Sequence, residues 1–149
     1  MKLISAGFTA LLIAVTVYLY GNLIYMNLRP ADPILPGWEE FDAAAFARYQ
    51  ASGDPLLVEI YASWCPTCKA QHEAFEQIEE SGRRPAIRAI RVDFDRDADF
   101  RKSLGINYTG ALLIFQGEQR ITEGDGLVTP DSILQFLGNN GITAQPAQS

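Results

Sequence analysis

The chain begins with a stretch without charged side chains, residues 3–28. Most of these residues are Leu, Ile, Val, Ala or Phe, and about 20 such residues are enough to cross the hydrocarbon core of a bilayer as a helix. About 120 residues then remain to fold in water, which is the size of one ordinary domain. The sequence therefore predicts an N-terminal membrane anchor at residues 1–28, followed by a single globular domain.

A cleaved signal peptide is the competing interpretation of this segment, and a buried soluble helix is a third. A signal peptide has an apolar region of about 7–15 residues and then a small-residue cleavage site, whereas this run is longer and no A-x-A pattern follows it. Tyr18, Tyr20 and Tyr25 cluster toward its end, as at a headgroup level. We expect a single-pass anchor in the inner (cytoplasmic) membrane, with the domain facing the periplasm.

The charge balance of the domain excludes one class of partner. All 18 Asp and Glu residues lie after residue 30, against ten Lys and Arg, so the net charge there is near −8. Binding to nucleic acid depends on clustered Lys and Arg side chains, so no nucleic-acid partner is expected. The two cysteines are too few for a disulfide-stapled scaffold, and the spacing of Cys65 and Cys68 points to redox or metal chemistry.

Patterns of apolar and turn-forming residues predict the elements of the domain. A proline-rich stretch at 29–36 predicts a short, stiff, extended tether. After it come a helix at 43–51 capped by Asp42, strands at 56–61 and 86–92, helices at 66–80 and 93–104, hairpin strands at 112–115 and 119–122, and a helix at 132–137. Strand-helix-strand units run parallel and a hairpin runs antiparallel. We therefore expect an α/β fold with a mixed sheet flanked by helices over 37–140, and a flexible tail at 141–149.

The cysteine pair directly follows a predicted buried strand and opens the next helix. A thiol at a helix N-terminus faces unpaired backbone N–H groups and the positive end of the helix dipole, which stabilise the thiolate. Cys65 is thus the predicted nucleophile. Cys68 lies one turn below, where it can attack a mixed disulfide formed at Cys65. Pro66 makes the loop rigid without losing a helical hydrogen bond, and Thr67 can offer a donor to the sulfur.

Glu59 is an acid inside an otherwise apolar strand, six residues before Cys65. Periodicity leaves two interpretations open: an exposed acid at the edge of a half-solvated strand, or a buried acid whose pKa is raised by burial. In the second case the carboxylate can accept the proton of Cys68 during resolution, directly or through water.

Metal binding is the alternative use of the two cysteines. His72 follows Cys68 by four residues and offers a third ligand for copper or zinc, but a structural zinc site normally has four ligands and the chain has no other Cys or His. We therefore predict no metal and no cofactor. His72 is expected on the surface or in a groove.

These residues resemble the thioredoxin superfamily over about two-thirds of the chain. Residues 56–69, which include Val-Glu-Ile-Tyr-Ala-Ser-Trp-Cys-Pro-Thr-Cys-Lys, are similar to the family's strand, buried acid and W-C-x-x-C motif. The resemblance implies a thioredoxin-like fold, with Cys65 as nucleophile, Cys68 as resolving thiol, Glu59 at the proton-relay position and Trp64 packed beside the site. The nine residues from Trp64 onward are locally similar to the membrane-tethered periplasmic reductants of cytochrome c maturation, without that group's long insertion.

Two positions depart from the family pattern. In the family a cis-proline faces the cysteines, just before the strand that here begins at Leu112. Gly110 aligns with that proline in this chain. A non-proline cis bond costs about 2.5–4 kcal/mol, so we expect a trans peptide and a reshaped partner groove. The residues of this predicted groove are Trp64, Pro66, Thr67, Thr109 and Gly110. The strand after the active-site helix also lacks the family's lysine, and the nearest charges are Arg88 and Arg91.

The favoured function is that of a membrane-tethered thiol-disulfide oxidoreductase that exchanges disulfides with protein partners. A reductive role is preferred, in which another membrane protein supplies the electrons. Three alternatives remain: a disulfide oxidase or isomerase, a copper- or zinc-handling module that uses Cys65, Cys68 and His72, and a redox-inert adaptor that docks a partner at the Gly110 loop.

Overall fold

The structure, a computed structural model, describes residues 2–144, except for the side chains of residues 2–6, 26 and 27. These residues form two compact units that divide after Pro30. One continuous helix, α1 (Lys2–Leu28), makes up most of the first unit. Its stretch Gly7–Tyr25 has a mean hydropathy of 1.7 and none of it is buried. The stretch is therefore long and apolar enough to cross a membrane, a property that signal sequences share, and anchoring and orientation stay predictions.

The domain is built on a mixed sheet of five strands. The strands are β1 (Trp38–Glu40), β2 (Pro55–Tyr61), β3 (Arg88–Asp93), β4 (Leu112–Gln116) and β5 (Gln119–Gly124). Their spatial order is β1-β3-β2-β4-β5, with β1 and β2 parallel to β3, and β4 antiparallel to both β2 and β5. The predicted α/β architecture is confirmed, and β2 lies at the centre of the sheet.

Helices cover both faces of this sheet. Within the described residues of the domain they are α2 (Ala43–Ser52), α3 (Pro66–Glu80), α4 (Ala98–Ser103) and α5 (Pro130–Asn139). The predicted cap of α2 is confirmed, because a carboxylate oxygen of Asp42 accepts a hydrogen bond from the Ala45 N–H at 2.8 Å. Helix α5 begins in the same way at Thr129, with Pro130 in its first turn.

Alternation along β2 sends its side chains to two separate cores. Leu57 packs with α3 and α5 on one face, whereas Val58 and Ile60 pack with α2 on the other. Glu59 has the same parity as Leu57 and faces α3. The parallel register places Arg91 of β3 directly opposite Glu59. The carboxylate of Glu59 and the guanidinium of Arg91 therefore lie side by side beneath α3.

Two elements differ from the prediction. The sequence pattern does not predict β1, because its three residues include two adjacent acids and show no alternation. The helix predicted at 93–104 begins only at Ala98. The side chain of Asp93 accepts hydrogen bonds from the backbone N–H groups of Asp95 and Arg96 at 3.0 and 2.8 Å, which folds the intervening residues into a turn.

The domain also extends beyond the predicted range at both ends. Leu35, which the sequence places in a free tether, is buried in the core on the α3 face of the sheet. At the other end Ile142 is buried, and the Ala86 N–H donates to the Thr143 carbonyl at 3.2 Å. Residues 31–36 therefore belong to the packed domain, and of the predicted tail only residues 145–149 are left, which lie outside the described residues.

Candidate active site

The two cysteines lie at the first turn of α3. Cys65 is the N-cap of the helix, and its sulfur accepts a hydrogen bond from the Cys68 N–H at 3.2 Å. Both cysteines are free thiols and both are buried. Burial raises the pKa of the Cys68 thiol, and the hydrogen bond with Cys65 raises it further. The inner thiol thus needs a base to ionise it, whereas the outer sulfur already has a helix donor directed at it.

Thr109 and Gly110 approach the cysteines from the loop that precedes β4. The Thr109 hydroxyl lies 3.1 Å from the Cys65 sulfur, to which it can donate. The described residues have no cis peptide bond, so the expected trans peptide at Gly110 is confirmed. Gly110 has a φ of +78°, and its N–H donates to the Ile60 carbonyl at 2.8 Å. This bond fixes the loop against the end of β2, so that Thr109 stays within reach of the sulfur.

Trp64 lies beside the cysteines and is partly exposed. Its indole N–H donates to the carboxylate of Asp95 at 2.7 Å. Its ring meets the ring of Phe94 edge to face, with the centroids 5.9 Å apart. Phe94 in turn packs against the buried cluster that contains both cysteines. The side chain is thus held by the turn after β3, a contact that the sequence pattern does not predict.

Glu59 is buried, so the interpretation as an exposed edge acid is wrong. One carboxylate oxygen, Oε2, accepts a hydrogen bond from Arg91 Nε at 3.0 Å, whereas Oε1 is buried without a hydrogen-bond partner. Burial raises the pKa of the Glu59 carboxyl, and Arg91 offsets part of that increase. The charge of Glu59 also contributes to the raised pKa of Cys68. Glu59 therefore has one carboxylate oxygen without a hydrogen-bond partner, and its charge affects the pKa of the inner thiol, Cys68.

The predicted placement of His72 on the surface or in a groove is also wrong, because its side chain is buried. The Nδ1 atom lies 3.0 Å from Nη2 of Arg91, and since a guanidinium only donates, Nδ1 is the acceptor. Burial and the charge of Arg91 both lower the pKa of His72, which keeps the ring neutral. The helical spacing from Cys68 to His72 to Phe75, all buried on one face of α3, is the signal that places it inside.

A ring held by a guanidinium on one side is poorly arranged to bind a cation. Within the described part of the chain, no group of three or more His, Cys, Asp or Glu side chains is arranged to hold a metal ion. The three residues of the alternative copper or zinc site, Cys65, Cys68 and His72, therefore do not come together as ligands.

A family model for thioredoxin matches residues 38–139. The chain belongs to the thioredoxin family. Its members share the fold described above, so the expected thioredoxin-like fold is confirmed. The expected membership of the thioredoxin superfamily is confirmed as well.

Individual relatives show the same relationship. The thiol:disulfide interchange protein DsbE of Escherichia coli is 32% identical over 99 residues, which are 63% of this chain and 51% of that protein. The bifunctional thioredoxin reductase/thioredoxin of Mycobacterium leprae is 29% identical over 101 residues, 68% of this chain and 22% of that protein. The chain thus spans about half the length of DsbE.

Solved structures give the same fold. Trxlp from Edwardsiella tarda superposes with a TM-score of 0.61 at 29% identity, covering 67% of this chain and 97% of Trxlp. The thioredoxin of Malassezia sympodialis gives a TM-score of 0.58 at 19% identity, covering 72% of this chain and 96% of that structure. The second similarity concerns the fold alone.

Proposed function

We propose that this chain is a membrane-tethered thiol-disulfide oxidoreductase that exchanges disulfides with protein partners through Cys65 and Cys68. The observation that carries the proposal is the environment of the Cys65 sulfur, which lies at the N-cap of α3 and within hydrogen-bond distance of a backbone N–H and the Thr109 hydroxyl. Donors aimed at a sulfur favour the thiolate, which is the species that attacks disulfides. DsbE is named as a thiol:disulfide interchange protein, which supports the same chemistry.

The exchange has two steps. In the first, the Cys65 thiolate attacks a disulfide of the partner, so that one partner sulfur bonds to Cys65 and the other leaves as a thiolate. In the second, Cys68 attacks the Cys65 sulfur, the Cys65–Cys68 disulfide forms, and the remaining partner sulfur leaves. Two electrons pass from the dithiol to the partner. Reduction of the new disulfide by an electron donor reverses these steps.

Glu59 is the proposed proton acceptor in the second step. The Cys68 thiol is buried and its pKa is raised, so attack requires that a base remove its proton. Oε1 of Glu59 is buried and accepts no hydrogen bond from another residue. Because burial raises the pKa of Glu59, its carboxylate is a stronger base than an exposed one. The proton passes from the Cys68 sulfur to Oε1, directly or through one water.

We place the domain at the periplasmic side of the inner membrane, anchored by α1, and assign it a reductive direction. The support is the apolar stretch Gly7–Tyr25 together with the similarity to DsbE. A reductant outside the cytoplasm needs electrons from a membrane protein, which is the proposed upstream partner. The proposed downstream partners are protein disulfides that contact the surface beside Trp64, Pro66, Thr67, Thr109 and Gly110.

A redox titration tests the chemistry. The full-length protein in detergent is equilibrated in glutathione buffers of graded potential while tryptophan fluorescence is followed, because Trp64 adjoins Cys65. A reversible two-electron transition is expected, and Cys68→Ser should abolish it while still forming a stable mixed disulfide at Cys65. The absence of a transition in the unmodified protein would contradict the proposal.

Trapping thiols in intact cells tests the direction of electron flow. Acid quenching followed by alkylation separates reduced from oxidised Cys65 and Cys68. A mostly reduced pair is expected for a donor, and a mostly oxidised pair would instead identify a disulfide oxidase.

A further inference from the structure

Arg91 is the most completely buried cation described in this domain, with only 2% of its surface exposed. A buried charge is costly unless its donors are satisfied. Its Nε donates to Glu59 and its Nη2 to His72, both at 3.0 Å. The guanidinium carbon also lies 4.2 Å from the centre of the Tyr61 ring. Arg91 is therefore held from β2 and from α3.

Residues 31–35, the segment before β1, hold the third side of the guanidinium. Nη1 donates to the carbonyl oxygen of Asp32 at 2.8 Å and lies 3.4 Å from that of Pro33. Tyr61 fixes this segment, since its hydroxyl accepts from the Asp32 N–H at 2.8 Å and donates to the Asp32 carboxylate at 3.0 Å. Leu35 holds the segment from the core. The segment thus supplies the backbone carbonyl acceptors of Nη1.

This arrangement determines how Arg91 meets Glu59. A guanidinium commonly binds a carboxylate through two parallel hydrogen bonds, which would occupy both oxygens. Here Nη1 donates to the carbonyl of Asp32 and Nη2 to His72, and the one hydrogen bond to the carboxylate runs from Nε to Oε2. Oε1 stays without a partner. Arg91 therefore supplies a counter-charge and leaves free the oxygen that proton transfer needs.

The charges around Glu59 make that counter-charge important. The titratable and charged groups that interact electrostatically with it are Arg91 from β3, Asp32 from the N-terminal segment, Glu40 from β1 and Cys68 from α3. Of these, only Arg91 is a cation. Its loss would leave a buried acid among other acids.

We propose that Arg91 is a positioning residue for thiol-disulfide exchange, and that residues 31–35 are part of the redox site because they hold Arg91 against one oxygen of Glu59. The inference rests on the proposed role of Glu59 as the proton acceptor of Cys68. It extends the functional site to a stretch of chain that lies between the apolar helix and the first strand.

Infrared spectroscopy of the full-length protein in detergent tests this assignment. The protonated-carboxyl band of Glu59, identified as the signal lost in Glu59→Gln, is followed from acid to alkaline pH to give a protonation midpoint. Arg91→Gln should raise that midpoint by about one to three pH units, because it removes an opposite charge in direct contact. Arg91→Lys should restore most of the original midpoint. Arg88→Gln, a change at an exposed arginine of the same strand, should leave it unchanged.

A second variant tests the contribution of the segment. Tyr61→Phe keeps the ring beneath the guanidinium but removes both hydrogen bonds to Asp32, so Arg91 should be held less firmly and the midpoint should rise by less than in Arg91→Gln. An unchanged midpoint in Tyr61→Phe would overturn the role of residues 31–35. An unchanged midpoint in Arg91→Gln, or an equal shift in Arg88→Gln, would overturn the role of Arg91.

Two further measurements keep the outcome interpretable. Circular dichroism establishes that each variant is folded. If Arg91→Gln fails to fold, Tyr61→Phe decides the question, and an unchanged midpoint in that variant counts against the proposal. The rate at which Cys68 resolves a mixed disulfide is measured beside the spectra. If Glu59→Gln resolves as fast as the unmodified protein, the proton-acceptor role fails, whereas the infrared midpoint still reports on Arg91.

Discussion

Replacement of Gly110 by alanine should destabilise the domain in two separable ways. Gly110 has a φ of +78°, and an added Cβ would lie 3.3 Å from Cγ2 of Thr67. The left-handed backbone costs an L-residue roughly 1–2 kcal/mol. The close contact adds roughly 1–3 kcal/mol if the threonine cannot move away. We therefore expect Gly110→Ala to lower the free energy of unfolding by about 2–5 kcal/mol.

A matched control separates the two contributions. Gly53 has a φ of +74°, and no atom lies within 4 Å of the position its Cβ would take. Gly53→Ala should therefore show the backbone cost alone, about 1–2 kcal/mol. In the double variant Gly110→Ala/Thr67→Ser, the methyl group that makes the contact is gone. Its free energy of unfolding, compared with that of Thr67→Ser, should fall only by the backbone cost.

Urea unfolding of the reduced full-length protein in detergent, followed by tryptophan fluorescence, provides the measurement. The reasoning is refuted if Gly110→Ala costs no more than Gly53→Ala, or if Thr67→Ser relieves none of the excess. Either result would mean that the loop before β4 moves freely relative to the cysteines. The proposed groove, which depends on a fixed distance between Gly110 and Thr67, would then lose its support.

Three side chains of the site and one of the N-terminal segment give further predictions. Thr109→Val removes a hydroxyl that lies 3.1 Å from the Cys65 sulfur. Because a hydrogen bond to a charged group contributes about 1.5–3 kcal/mol, iodoacetamide should then alkylate Cys65 roughly tenfold more slowly at neutral pH. An unchanged alkylation rate would disprove the bond. Because burial raises the pKa of Glu59, its contribution to stability is present below pH 4.5 and is lost as the pH rises through the folded-state pKa. Glu59→Gln should remove that pH dependence, and parallel stability curves for the two proteins would contradict it. Leu35→Ala should cost about 2–5 kcal/mol in urea unfolding, whereas a residue in a free tether would cost almost nothing. The double variant Glu59→Leu/Arg91→Met should unfold at an equal or higher urea concentration than the unmodified protein but resolve mixed disulfides slowly, and a large loss of stability would argue that the ion pair is structural.

The parts of the fold that the sequence predicts are those with local signals. Asp42 and Thr129 mark the starts of helices, because each side chain accepts a hydrogen bond from the backbone N–H three residues further along the chain. The cysteine motif lies directly after an apolar run, and that order alone is enough to place it at a helix N-terminus. These features depend on neighbours along the chain, so the pattern of residues contains the required information.

The partners of Glu59 are missed for the opposite reason. Arg91 is 32 residues away, and the two meet only because β2 and β3 are adjacent and parallel in a particular register. The apolar pattern of residues 86–92 fits two alternations, and so does not tell which of Arg88 and Arg91 faces inward. Asp32 and Leu35 lie in a proline-rich stretch whose composition is typical of a tether, and their contacts with the domain depend on a surface that exists only after the sheet has formed.

The energetics of the Glu59–Arg91 pair bear on why it is there. Replacing a buried ion pair by apolar side chains of similar volume is often neutral or stabilising, because desolvation of the charges offsets their attraction. The domain already has an apolar core on both faces of the sheet, so we expect the fold to tolerate apolar side chains in place of the charged pair. A buried acid that keeps one carboxylate oxygen without a partner and raises the pKa of the resolving thiol is better explained by the chemistry of Cys68 than by folding. The same argument applies to residues 31–35, whose carbonyl groups satisfy the guanidinium and thereby keep that oxygen available.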